Sequence, residues 1–227
     1  MEETNAHSGH RDRLRREFTE LGVESFSEVR ALELLLFYAI ARRDTNPLAH
    51  ALLDRFGSLQ GVLRASKEEL CSVEGIGENT AVLIRLVPEL NRKAQIEAEK
   101  KTVRTLDSSF AAGTVISPYL RYERAEKFML FCLDAQKKLL RAEEVSKGVV
   151  NAVTVDIRRV AELALQYRSS AVILAHNHPD GDPLPSREDR EVTRAVAEAL
   201  AVLSIPVLDH IIVAPNGYYS FADAGEI

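Results

Sequence analysis

The chain is expected to fold as an all-helical half followed by a mixed α/β half, and the spacing of its apolar residues carries that expectation. From Leu14 to about Ile96 apolar residues recur every three or four positions, the period of helices with one buried face. These runs are broken by Gly22, Pro47, Gly57 and Gly75. Later in the chain the pattern changes to short continuous apolar runs of strand length. Between the two patterns, 94–113 is mostly charged and polar, passing from Glu97, Glu99, Lys100 and Lys101 to Asp107, Ser108 and Ser109. With little there to bury, the boundary is placed inside it, giving a helical domain over 1–101 and a second domain over 102–227. A length of 227 residues is enough for two cores.

In the first half, Met1 to Phe18 is rich in Arg and acidic residues and lacks the apolar core of a signal peptide, so His7 and His10 are expected in a mobile tail. Leu32 to Ala41 is the longest apolar segment, but Glu33 interrupts it and it is about half the roughly 20 residues that cross a bilayer. It reads as a core helix, with no membrane association. Cys71 and Cys132 form no C-x-x-C pair and sit in apolar patterns, as buried thiols of a cytoplasmic, reducing environment do.

In the second half, Phe128 to Leu133 and the Leu139-Leu140 pair flank a polar turn, which reads as a hairpin. A helix fits Ile157 to Tyr167, a buried strand Ala171 to Ala175 and a helix Ser186 to Leu203. Strands then fit Val207 to Ala214 and Tyr218 to Phe221. The formal net charge of −5 argues against a broad electrostatic grip on nucleic acid, leaving only local contact.

The strand at Ala171 leads into AVILAHNHPDGDPLPSREDREV. His176 and His178 are two residues apart at the strand end, so an extended backbone projects both imidazoles to one side. Pro179, Gly181, Pro183 and Pro185 enforce an irregular loop, after which Asp189 lies on the first turn of a helix. Two imidazoles and a carboxylate make a three-ligand set that leaves zinc a fourth position for water. Ser186 and Asp189 also have the spacing of a helix capping box, which competes as an explanation for those two residues. His50 and His210 have no such context and are not assigned to the metal.

The order H-x-H, seven residues, S-x-x-D matches the JAMM motif, and HNHPDGDPLPS with VLDHIIV and the initial HSGHRDRLRREF resembles the RadC family over nearly the whole chain. The resemblance implies a JAB/MPN-like α/β domain with a cytidine-deaminase-like mixed sheet. It further implies one zinc per chain on His176, His178 and Asp189, and a metalloprotease activity on a peptide or protein substrate. The family's general base lies just before the first long strand, where Glu126 stands; Glu143 and Glu144 are rivals for that role. By the same resemblance Ser186 helps hold the oxyanion of the tetrahedral intermediate.

Ser66 to Pro88 resembles a helix-hairpin-helix motif, two apolar helices about the turn Gly75-Ile76-Gly77. Glycines there allow close approach to a DNA phosphate, although Glu74 and Glu78 flank the turn. Arg11, Arg13, Arg15 and Arg16 are the dense basic cluster that would compensate. The alternative to a peptidase is therefore a DNA-associated repair or recombination accessory protein whose metal site is vestigial or structural. A site acting on phosphodiesters is a third possibility.

Overall fold

The computed structural model describes residues 3–41, 43–101, 105–148, 155–179 and 181–227, which fall into two units, Met1–Asn91 and Arg92–Ile227. The first unit is helical: α1 (Glu3–Leu21), α2 (Glu28–Ala39), α3 (Asn46–Phe56), α4 (Leu59–Arg64), α5 (Lys67–Cys71) and the start of α6 (Glu78–Lys101). Its boundaries follow capping chemistry. Ser27 and Ser58 accept backbone N–H bonds at the starts of α2 and α4, Ser66 and Glu69 form a reciprocal capping box on α5, and Gly57 ends α3 at a left-handed φ of 79°. Leu32, Leu36, Leu52, Val62, Leu70 and Ile84 fill the core between them.

Two expectations need correcting here. The segment read as a mobile tail is α1, and His10 within it has its Nε2 2.9 Å from the buried Glu33 carboxylate. Asn46 Nδ2 donates to the other Glu33 oxygen at 3.2 Å, so the acid that interrupts the apolar run of α2 has polar partners. Cys132 is buried as expected, but Cys71 is only partly so.

The second unit holds α7 (Ser109–Leu120), β1 (Lys127–Leu133), β2 (Leu139–Lys147), α8 (Ile157–Gln166), β3 (Ala171–Asn177), α9 (Arg187–Ala201), β4 (Val207–Ala214) and β5 (Gly217–Ser220). The sheet runs β2-β1-β3-β4-β5. β1 is antiparallel to both neighbours, β3 and β4 are parallel, and β5 returns antiparallel. Phe128, Leu130, Val172 and Leu174 face α8 and α9, whereas Met129, Phe131, Ile173 and Ile211 face α7. With both faces covered, β3 is buried along its whole length, which is why its sequence runs apolar without alternation.

The sequence reading did not foresee α7. The Tyr218 ring lies against Gly113 of α7, so that a Cβ there would sit 2.5–2.9 Å from ring carbons. Gly113→Ala is expected to destabilise the protein by about 1–2 kcal/mol, the cost of displacing the ring exceeding the gain in helix propensity. Urea unfolding of the two proteins measures it.

Candidate metal centre

β3 stays extended through Asn177, and His178 N–H donates to Val213 O at 2.9 Å, which prolongs its alignment with β4. The two imidazoles therefore project to one side, with their Nε2 atoms 3.0 Å apart. Ser186 is the N-cap of α9, and Asp189 is the third residue of that helix. From there its Oδ1 lies 3.0 Å from His176 Nε2 and its Oδ2 3.5 Å from His178 Nε2. One ligand atom from each of the three residues lies within 4.8 Å of the others, so the trio can hold a metal ion.

Ser186 also forms the capping box in full. Its backbone N–H and its hydroxyl donate to Asp189 Oδ2 at 2.8 and 2.6 Å, while Asp189 N–H donates back to Ser186 Oγ at 3.1 Å. Capping and metal geometry thus coexist on the same carboxylate.

The electrostatics of the trio follow from these contacts. Burial alone would raise the Asp189 pKa, but the imidazoles of His176 and His178 and the Ser186 hydroxyl overcome it and hold the carboxyl far below its ordinary range. His178 is raised, first by its bond to Asp189, against the opposing effect of burial, with help from the Asp182 carbonyl and the Glu126 charge. A metal must displace that proton. Because the raised pKa lies above 6.5, zinc uptake is expected to weaken as pH falls through it and to level off above it. Chelator competition across pH 5 to 9, with proton release followed by an indicator dye, measures this; an affinity independent of pH would contradict it.

Residues 106–226 match a family described as the RadC-like JAB domain. The chain belongs to the RadC family. UPF0758 protein FN0909 of Fusobacterium nucleatum is 34% identical to this RadC-family chain over 226 residues, covering 96% of it and 97% of the relative. The second unit is accordingly a JAB-type, metal-dependent hydrolase-like domain, and its mixed five-stranded sheet is consistent with the JAB/MPN fold. Residues 58–87 match the helix-hairpin-helix motif. Among the described residues, no helix is long and apolar enough to cross a membrane.

Glu126 is partly buried and immediately precedes β1. The loop that carries it is tied to β3 by Asn177, which stands between the two histidines and points away from them. Asn177 Oδ1 accepts from Lys127 N–H at 2.9 Å, and its Nδ2 donates to the carbonyls of Ala125 and Glu123 at 3.1 and 3.3 Å. The rival acids are engaged elsewhere. Glu143 accepts from the Tyr167 hydroxyl at 2.7 Å and from Arg141 Nε at 3.0 Å, and its pKa is lowered, chiefly by the Tyr167 bond. Glu144 pairs with Lys127 at 3.0 Å.

The RadC-family helical unit places Gly75, at φ 90°, in the turn between α5 and α6. The Arg43 guanidinium lies 3.6–3.7 Å from where a Cβ on Gly75 would be, so a cation stands beside the turn. Lys67 pairs with Glu78 at 2.9 Å, offsetting one of the flanking acids. The arginine cluster contributes less than its density suggests. Arg11 donates to the carbonyls of Ile40, Ala41 and Arg43, each at 2.7 Å, and Arg15 pairs with Asp12 at 3.2 Å.

Sequence reasoning missed three residues around the candidate metal trio: Asn177, His210 and Thr193. Asn177 stands inside the motif, but only the position of the Glu123–Lys127 loop reveals its task. His210 Nε2 lies 2.8 Å from His176 Nδ1, and Thr193 Oγ1 lies 2.6 Å from His210 Nδ1. Full burial, then the neighbouring His176, push the His210 pKa well below its ordinary value.

Proposed function

We propose that this chain is a zinc-dependent amide hydrolase, a peptidase or isopeptidase, with the reaction carried by residues 102–227. The observation that supports it most strongly is the convergence of His176 Nε2, His178 Nε2 and the Asp189 carboxylate at the end of a buried strand. The donor set fits zinc, which accepts imidazole and carboxylate together and in catalytic sites keeps one position open. Bound there, one zinc per chain would polarise a carbonyl and make water nucleophilic near neutral pH.

The protein's own groups supply the rest. The Glu126 carboxylate accepts the proton of the attacking water and returns it to the leaving amine. In support of this role, the Asn177 clamp fixes the backbone on either side of Glu126 to the strand end that carries the histidines. The Ser186 hydroxyl bonds to Asp189 Oδ2 in the resting site, and its role toward substrate is to turn that proton to the developing oxyanion.

The helix-hairpin-helix match favours a second reading, in which residues 1–101 hold DNA through Gly75, Ile76 and Gly77 with Arg43 beside them. The two readings separate in one screen of the zinc-loaded protein against peptide and isopeptide-linked substrates and against duplex DNA. Amide cleavage supports the hydrolase reading. Phosphodiester cleavage would replace it with a nuclease. DNA retention without cleavage, lost steeply between about 50 and about 200 mM salt, would favour the accessory role.

A further inference from the structure

We propose that His210 and Thr193 are positioning residues that fix the tautomer of His176, so that its Nε2 presents a lone pair toward the cation. The proposal rests on the metal reading above and concerns how a ligand is prepared.

A buried chain of hydrogen bonds runs from the Asp189 backbone to His176. Thr193 Oγ1 lies 2.6 Å from the backbone carbonyl of Asp189, an atom that can only accept, so the threonine hydroxyl donates there. With its one proton committed, Oγ1 accepts from His210 Nδ1 at 2.6 Å. In a neutral ring protonated at Nδ1, His210 Nε2 is an acceptor, and the donor 2.8 Å away is His176 Nδ1. His176 is then left with an unprotonated Nε2, the atom 3.0 Å from Asp189 Oδ1. The opposite order would need a charged His210, yet that ring is fully buried between Phe128 and Phe221, where a cation is poorly solvated. The chain starts at one ligand and ends on the backbone of another, so the same bonds also set the distance between β3, β4 and α9 at the site.

Once neutral, His178 reaches the same state by a different route, since its Nδ1 donates to the Asp182 carbonyl at 2.8 Å. Both inward-facing nitrogens are thereby prepared by an outer partner, an arrangement that commonly changes metal affinity by about 10- to 100-fold when the partner is removed.

Nitrogen-15 NMR of the metal-free full chain and zinc affinity by chelator competition test this together. The expected result is a proton on Nδ1 of both His176 and His210. Zinc binding should weaken about tenfold in Thr193→Val and about 100-fold in His210→Leu. His210→Gln should recover most of the loss, because its amide oxygen can accept where Nε2 did. A His210 proton on Nε2 in the wild type, or unchanged zinc affinity in Thr193→Val, overturns the proposal. Thr193→Val is nearly isosteric and decides the matter even if His210→Leu does not fold. A wild type that takes up no zinc removes the metal reading and this proposal with it. A wild type that binds zinc as tightly as its variants removes only this one.

Discussion

Replacing His178 by alanine is expected to reduce bound zinc from about one per chain to background, with the protein still folded. The variant removes one of the three proposed ligands while disturbing little else. The His178 side chain keeps about a fifth of its surface exposed, and its outer nitrogen bonds to the Asp182 carbonyl of the following loop. His176→Ala would be a poorer test, since it strips His210 of a partner at a fully buried position and removes packing against Phe128. Asp189→Ala would also take apart the capping box of α9, costing about 1 kcal/mol in addition. Elemental analysis of wild type and His178→Ala, at matched concentration after zinc loading and desalting, measures the effect. Retention of zinc by the variant would show that the ion is held elsewhere.

Glu126→Gln is expected to leave zinc content unchanged and to lower kcat on an amide substrate by about 10²- to 10⁴-fold, the usual contribution of a general base. Glutamine keeps the size of the side chain and loses its basicity, and the Asn177 clamp holds only the backbone on either side, so the loop should not move. The same substitution at Glu143 or Glu144 should change kcat little, because those acids serve Tyr167, Arg141 and Lys127. Steady-state kinetics on the three variants gives the ranking. A large loss at Glu143 or Glu144 with none at Glu126 would reassign the base.

Much of this was legible in the sequence, for reasons that differ by element. β3 could be read because a strand covered on both faces is continuously apolar, and three prolines and a glycine after it left no choice but a loop. The start of α9 was legible because Ser186 and Asp189 have capping spacing. α7 was not: buried against the sheet from Ala112 to Leu120, it has no polar stripe to reveal a period, and the charged stretch before it suggested a boundary. The partners of His176 were hidden for another reason. His210 reaches it only through the parallel register that sets Leu174 beside His210, and no local pattern in VLDHIIV encodes a register. Asn177 was in plain view, but the donor and the acceptors it meets lie some fifty residues away.

The Asp189 carboxylate is already engaged within the site. Oδ2 already takes two hydrogen bonds from Ser186, and the outer nitrogens of His176 and His178 are already held by His210 and the Asp182 carbonyl. The scaffold of the site is therefore built from a helix start, a strand end and a loop that hold one another. A zinc finger has no such scaffold, and collapses when its ion is taken away. On the metal reading proposed above, this scaffold is expected to keep its shape when the ion is removed, so that loading would be a reversible step set by the free metal in the surroundings rather than an event fixed once at folding.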